Sequence, residues 1–310
     1  KGTLYGIRRV EGFVRECSAN YTQDCYVMKL DIRSFFMNIS KELLYKRMET
    51  FLRERYREND LEMLLYLLRE TLFNCPEKNC VRRCPVSHWK GLPRNKSLFH
   101  TDGKHGLPIG NLTSQMAGNF FLSPLDHLVT EQWGVPFYGR YVDDMVLVHP
   151  CREHLLTVRE RIREWLVANG LTLHPLKMYL QHYSKGIPYV GGMVKPGRIY
   201  ISNRTVGYFY DTLSHYNRLA QESGYVETHG EDFVSSVNSY LGQMKHFATY
   251  NLRKKLLLGG CIAPEWWKVI YVSGHLEKIV LKKQYTARSR MQRSMHREIM
   301  NCQLIKKEAV

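Results

Sequence analysis

Two adjacent aspartates, Asp143 and Asp144, interrupt an otherwise apolar stretch running from Phe137 to Val148. The pattern predicts strand, tight turn and strand, with both carboxylates at the turn. Alone, an Asp-Asp turn is an ordinary polar turn. Inside an apolar hairpin, though, two adjacent carboxylates are costly unless a cation neutralises them. Mg²⁺ is the usual partner for hard oxygen ligands, and two such ions can clamp the oxygens of an in-line phosphoryl transfer. A third carboxylate, Asp31, closes the apolar segment Cys25–Ile32, 112 residues earlier in the chain. Brought together, the three would suffice for two metal ions and nucleotidyl transfer.

The elements that must position these groups can be read from periodicity. Ile7, Val10, Phe13 and Val14 mark one face of an N-terminal helix, and Cys25–Ile32 reads as a buried strand ending in Asp31. Ser40 and Asp60 are expected N-caps for helices reaching about Arg57 and Phe73. Residues 74–105 show no period. They contain Cys75, Cys80, Cys84 and His88, four candidate zinc donors whose spacing departs from paired C-x₂-C, and a solvated loop with incidental cysteines is the preferred reading. Gly106-Leu107-Pro108-Ile109-Gly110 forms a shaped turn before a helix running through Val129. Beyond the central hairpin come a helix over Glu153–Asn169, a short strand and turn presenting Lys177, and a hairpin across Lys195-Pro196-Gly197. From Thr205 onward the pattern is mostly helical and increasingly basic.

The chain has 310 residues, 45 Lys/Arg against 29 Asp/Glu, and a formal net charge of +16. Such a balance points to a polyanionic partner, most simply nucleic acid. Residues 251–310 carry 13 of the basic residues and only 4 acidic ones. No apolar run approaches a membrane span, so no membrane partner is expected. The eight cysteines lack the density of a disulfide scaffold and no secretory signal is evident, so a cytoplasmic location is expected. The first residue is Lys1 rather than Met, which suggests a piece of a longer protein.

The motifs resemble those of the reverse transcriptases. Tyr141-Val142-Asp143-Asp144 matches the family's Y-x-D-D motif, and Asp31-x₃-Phe35-Phe36 its first catalytic motif. Gly170–Lys177 is similar to the later motif that carries a lysine, and Tyr189-Val190-Gly191-Gly192 falls where a primer-grip hairpin is expected. Four motifs occur in the family's order over about residues 25–200. The segment Ile109-Gly110-Asn111-Leu112-Thr113-Ser114-Gln115 departs from the common Q-G-x-x-x-S-P pattern in the manner of reverse transcriptases from diversity-generating retroelements. Lys1-Gly2-Thr3 and residues 79–99 also resemble that group.

The resemblance implies an α+β, right-hand polymerase fold of fingers, palm and thumb, with an antiparallel palm sheet, packed helices and a helical thumb. Residues 1–24 and 40–105 would be fingers and palm-connecting segments, with the N-terminal fingers missing. Residues 25–39 and 106–203 would be the palm, and 204–310 the basic thumb. Bacterial or phage origin is implied as well. The enzyme would copy template RNA into cDNA with errors concentrated at adenines, from deoxynucleoside triphosphates and a primer, alongside a small basic accessory protein. Two Mg²⁺ ions, with Mn²⁺ as a substitute, would be held by Asp31, Asp143, Asp144 and the carbonyl of Ile32.

Lys177 would act as general acid toward pyrophosphate. Phe36 would exclude a 2′-hydroxyl, and Ile32, Ile109, Gly110, Gln115 and Tyr141 would border the nucleotide. In place of a glutamine, Ile109 offers only apolar contact, which is expected to weaken discrimination. Tyr189, Gly191 and Gly192 would meet the primer. Arg253-Lys254-Lys255, together with Lys282, Lys283, Arg288, Arg290, Arg293 and Arg297, would track phosphates. Tyr240, Phe247, Tyr250, Trp266 and Trp267 read as thumb core rather than base-stacking platforms. A retron- or group II intron-like enzyme is the nearest rival. A non-catalytic RNA-binding scaffold is a second, disfavoured by retention of Asp31, Asp143, Asp144 and Lys177.

Overall fold

The structure is a computed structural model and describes residues 2–82 and 84–286. Arg288, Arg290, Arg293 and Arg297 lie outside the described residues. The chain divides into two compact units, the first ending at Ile187 and the second beginning at Pro188.

The first unit opens with helix α1 (Thr3–Cys17), which buries Ile7, Val10, Phe13 and Val14 as the spacing predicts. Strand β1 (Tyr26–Asp31) follows, then a single helical turn α2 (Phe35–Asn38) and helix α3 (Lys41–Arg55). Ser40 caps α3 by accepting from the Leu43 amide. At α4 (Leu61–Phe73), Asp60 makes no such cap; its carboxylate accepts from the Tyr56 hydroxyl at 2.8 Å instead. The described residues of 74–105 contain one helical turn, α5 (Pro76–Asn79), and three short 3₁₀ turns. Helix α6 (Leu112–His127) leads through a π turn to strands β2 (Phe137–Tyr141) and β3 (Asp144–His149). Helix α7 (Arg152–Ala168) and strand β4 (Tyr179–His182) complete the unit.

These strands form one antiparallel sheet in the order β2-β3-β1-β4. Alternation of side chains gives it two distinct faces. Met28, Leu30, Met145 and Leu147 point into the main core, where Phe121, Leu122 and Leu125 of α6 and Leu155, Val158 and Ile162 of α7 meet them. On the other face Val27, Val146 and Val148 are fully buried, and Phe13 of α1 packs beside Phe137 and Gly139. Asp31 and Asp144 share that second face, at its far end.

A three-stranded sheet of β5 (Ile187–Tyr189), β6 (Gly192–Lys195) and β7 (Arg198–Ile201) opens the second unit, all but Ile187 of it lying there. Helices α8 (Asn203–Leu219), α9 (Tyr225–Thr228), α10 (Gly230–Met244) and α11 (Tyr250–Leu258) follow. Strands β8 (Ile270–Ser273) and β9 (Lys278–Leu281) then pair as a hairpin, where the sequence pattern had read mostly as helix. The core centres on Trp266, fully buried and stacked on Phe233 at 3.9 Å, and Tyr240 stacks on Phe209. Ile201 belongs to this same core, so the β6–β7 hairpin packs with the helices that follow it. Tyr250, by contrast, is exposed.

Among the described residues no helix is long and apolar enough to cross a membrane.

Candidate active site

Register brings the first two carboxylates together. Asp31 ends β1 directly opposite Asp144, the first residue of β3, so a pair 113 positions apart in sequence becomes a cross-strand pair. Asp143 sits in the turn between β2 and β3. That turn is strained: Val142 has φ +59°, a left-handed conformation that a β-branched residue avoids at a cost of about 1–3 kcal/mol.

The fourth group arrives from the segment before β4. The His174 amide donates to the Asp31 carbonyl at 2.7 Å and the Arg33 amide to the Thr172 carbonyl at 2.9 Å. An isolated bridge joins Ile32 to Leu173. This short ladder carries Lys177 round until its Nζ donates to Asp31 Oδ2 at 2.8 Å.

The electrostatics follow from the crowding. Burial pushes the Asp143 and Asp144 carboxyls above the usual carboxylate value; Asp31 adds to both and Asp144 adds to Asp143, while Lys177 opposes both and Lys29 opposes the shift of Asp144. Lys177 is raised, first by its hydrogen bond to Asp31 and then by the charges around it, and so stays protonated at neutral pH. Lys29, on the same sheet face, is lowered by burial and supported by Asp144 and Asp31. It stands as one lysine within an apolar strand, a signal the sequence reading passed over.

A cavity of about 510 Å³ opens beside these groups, lined by Asp31, Ile32, Phe36, Ile109, Asp143 and Lys177. Phe36 is half-buried and touches Phe35, with ring centroids 5.2 Å apart. Gly118 of α6 supports both rings: a Cβ there would lie 3.0 Å from Phe35 and 3.3 Å from Phe36. Ile109 is 64% exposed, an apolar side chain offered to the cavity rather than to the core. The loop 74–105 reaches the same cavity through Asn95 and Lys96, and Asn95 donates to the Ser34 hydroxyl at 2.9 Å. Gly110, Gln115 and Tyr141 are exposed and do not line it.

The donor chemistry fits a hard divalent cation: oxygen ligands gathered in a partly desolvated site, where burial raises the Asp143 and Asp144 carboxyls and a bound cation would favour their charged forms. As they stand, no three His, Cys, Asp or Glu side chains among the described residues are grouped to hold a metal ion, and Lys177 is bonded to one oxygen of Asp31. Cys75, Cys80, Cys84 and His88 do not converge either. Cys75 lies against the Phe73 carbonyl, Cys80 against the Glu77 carbonyl, and Cys84 accepts from the Trp89 indole.

In the second unit, Tyr189 and Gly192 are buried, and Gly191 takes φ +89°. Gly192 lines a second cavity of about 580 Å³ together with Tyr200, Phe247 and Leu252. Lys254 and Lys255 are exposed, as phosphate contacts require. Arg253 is not. It is 7% exposed and donates to the Leu276 carbonyl at 2.9 Å, because His275 and Leu276, both left-handed, leave carbonyls that need donors. Lys282 is likewise committed, to the Trp267 and Lys268 carbonyls.

The sequence reading missed the groups behind the strained turn. Arg140 and Tyr138 project from β2 onto Asp126 and Asn119 of α6. Its only visible sign was an arginine within an apolar strand.

A sequence profile described as "Reverse transcriptase (RNA-dependent DNA polymerase)" matches residues 2–194. No curated protein matches the chain significantly. Similar solved structures include a Candida tropicalis telomerase bound to a fragment of telomeric RNA. That structure is 11% identical, covers 84% of this chain and 43% of its own, and has a TM-score of 0.49. Apo Candida tropicalis telomerase truncated from its C-terminal domain is 13% identical, covering 65% and 40%, with a TM-score of 0.47. A Candida albicans telomerase bound to the same kind of RNA fragment is 14% identical, covering 82% and 44%, with a TM-score of 0.44. The chain spans less than half the length of each.

Proposed function

We propose, since this chain belongs to the reverse transcriptase family, that it is an RNA-directed DNA polymerase making error-prone cDNA for a diversity-generating retroelement. The observation that carries the polymerase reading is convergence: Asp31, Asp143, Asp144 and Lys177, from three separate segments, meet at one end of one sheet. In this reading residues 25–39 and 106–203 supply the palm and residues 204–310 the thumb.

Asp31, Asp143 and Asp144, with the carbonyl of Ile32, would hold two magnesium ions. When bound, the metal supplies Lewis acidity that lowers the pKa of a primer 3′-hydroxyl and offsets charge at the transferring phosphorus. The three carboxylates fix where that charge is concentrated. Lys177, kept protonated by its acidic neighbours, holds the proton that the leaving pyrophosphate takes up. Phe36 lines the cavity, where its ring would exclude a ribose 2′-hydroxyl. Lys254 and Lys255 would contact template–primer phosphates.

The retroelement assignment rests on Ile109 and Gln115 in the segment before α6. At the cavity wall Ile109 offers the nucleotide or template no hydrogen bond, so a mispair there leaves no polar group unmatched. Template RNA, deoxynucleotides and a small basic accessory protein are the partners this reading requires.

Primer extension on an RNA template with Mg²⁺, deoxynucleotides and the accessory protein tests it, with Asp143→Ala/Asp144→Ala alongside. The expected result is extension with errors clustered opposite adenine, abolished in the double variant and made more accurate by Ile109→Gln. Accurate synthesis by the unmodified chain would remove the retroelement assignment. Synthesis surviving in the double variant would remove the catalytic one.

A further inference from the structure

The turn that presents Asp143 holds a β-branched residue, Val142, at φ +59°, and something must over-determine that conformation. The Val142 carbonyl accepts a hydrogen bond of 2.9 Å from Arg140 Nη1. Every N–H of the Arg140 guanidinium is committed. Nε donates to Asp126 Oδ1 at 2.8 Å and Nη2 to Asp126 Oδ2 at 2.6 Å, a two-pronged fork. Nη1 also donates to Asn119 Oδ1 at 3.0 Å, and Nη2 reaches the Asn119 carbonyl at 3.4 Å. The Tyr138 hydroxyl donates to Asp126 Oδ1 at 2.7 Å. The Arg140 side chain is 8% exposed, held between a half-buried Asp126 and an exposed Asn119. Asn119 and Asp126 lie seven residues apart, on one face of α6.

We propose that Arg140 is a positioning residue: clamped to α6 by Asp126 and Asn119, it holds the Val142 carbonyl and so locks the strained turn that presents Asp143 and Asp144 to metal. The proposal rests on the polymerase reading above. It differs from an ordinary structural ion pair in what it predicts. A stabilising ion pair has no reason to be coupled to the backbone conformation of Val142, whereas a brace for the turn does. Lysine keeps the charge but lacks the planar fork, so it cannot serve Asp126, Asn119 and Val142 together.

The test measures Mn²⁺ affinity by electron paramagnetic resonance titration, in parallel with kcat and deoxynucleotide KM in primer extension. The proteins are the unmodified chain, Arg140→Lys, Val142→Gly, the double variant of those two, Asn119→Ala and, as a control on the metal site, Asp144→Asn. Arg140→Lys is expected to weaken Mn²⁺ binding and lower kcat by about 10- to 100-fold, as loss of a supporting group typically does. KM should change less than about twofold. Glycine adopts positive φ freely, so Val142→Gly should shrink the penalty of Arg140→Lys several-fold. Asn119→Ala, which leaves the Arg140–Asp126 fork intact, should show a smaller loss in the same direction.

Unchanged Mn²⁺ affinity in Arg140→Lys, or an equal penalty with valine and glycine at 142, would overturn the proposal and leave Arg140 with stability alone. If circular dichroism shows Arg140→Lys unfolded, Asn119→Ala decides, and undiminished Mn²⁺ binding there overturns it. Undiminished binding in Asp144→Asn is a distinct result: it would overturn the metal-site reading beneath the proposal, and the proposal with it.

Discussion

Lys177 Nζ lies 2.8 Å from Asp31 Oδ2, across 146 positions of sequence. The contact exists because the segment after Leu171 runs back along the end of β1 and bonds to it through Thr172 and His174. Lys177 is 54% exposed, so the pair adds little to stability, and its interest is chemical. Lys177→Ala should therefore leave the melting temperature nearly unchanged and lower single-turnover extension by about 100-fold, the lower end of general acid contributions. A variant that extends normally would remove the proton-donor role.

Asp144 faces the opposite trade. Its carboxylate is half-buried opposite Asp31; burial raises it first and Asp31 adds to this, while Lys29 and Lys177 oppose. Asp144→Asn removes one like charge from the group and should raise the melting temperature in the absence of divalent cation. About 2–4 °C corresponds to each kcal/mol relieved in a protein of this size. The same variant should lose polymerase activity and gain less from added Mg²⁺ than the unmodified chain. Calorimetry with and without Mg²⁺ reads both effects; a lowered melting temperature would argue against charge repulsion at the site.

Gly118 leaves room for the rings of Phe35 and Phe36 and for nothing more. Gly118→Ala puts a methyl 3.0 Å from the Phe35 ring, which is buried and cannot yield far. The expected cost is about 1–3 kcal/mol in denaturant unfolding. Because Phe36 must also shift, incorporation of ribonucleotides relative to deoxynucleotides should rise. Unaltered sugar selectivity in a measurably destabilised variant would separate Phe36 from that task.

The neighbouring basic residues of α11 should part company. Arg253→Ala removes a buried bond to Leu276 and should destabilise by about 1–3 kcal/mol. Lys254→Ala/Lys255→Ala should leave stability within error and reduce the salt dependence of template–primer binding by about two counterions. Filter binding across a salt series distinguishes the two. An unchanged slope for the lysine pair would remove it from the phosphate path.

His149, at the end of β3, gives a pH signature. Burial holds its imidazole below the usual range, and His154, with its ring centroid 4.4 Å away, adds to the effect. The native state thus binds this proton less readily than the unfolded chain. Stability is full above the ordinary imidazole range and declines as pH falls through it toward the lowered native value. His149→Gln should flatten the drop in melting temperature between pH 7.5 and 5.5; an equally steep drop would assign the proton elsewhere.

What could be read in advance follows from what leaves a local pattern. Ile7, Val10, Phe13 and Val14 announce α1 because a helix face repeats every three to four residues. Asp31, Asp143 and Asp144 were legible because a carboxylate closing an apolar run is costly without a purpose. Arg140 left only a faint trace, an arginine within an apolar strand, and Asp126 left none, because their partnership joins a strand to a helix and no local pattern records it. Arg253 misled for a related reason, since a basic run reads as surface until His275 and Leu276 are seen to need a donor. The β8–β9 hairpin escaped because its two strands are four residues each, too short for alternation to outweigh the helical pattern around them.

Two backbone hydrogen bonds join the segments on either side of the cavity. The Leu107 amide donates to the Phe36 carbonyl at 2.8 Å and the Gly106 amide to the Ile39 carbonyl at 3.0 Å, which lashes the Ile109 segment to the one after Asp31. Chimeras with homologous enzymes should respect that lashing. Exchanging residues 106–115 alone grafts a foreign partner onto the Phe36 segment, whereas exchanging 31–39 and 106–115 together carries the cavity wall across as one inherited unit.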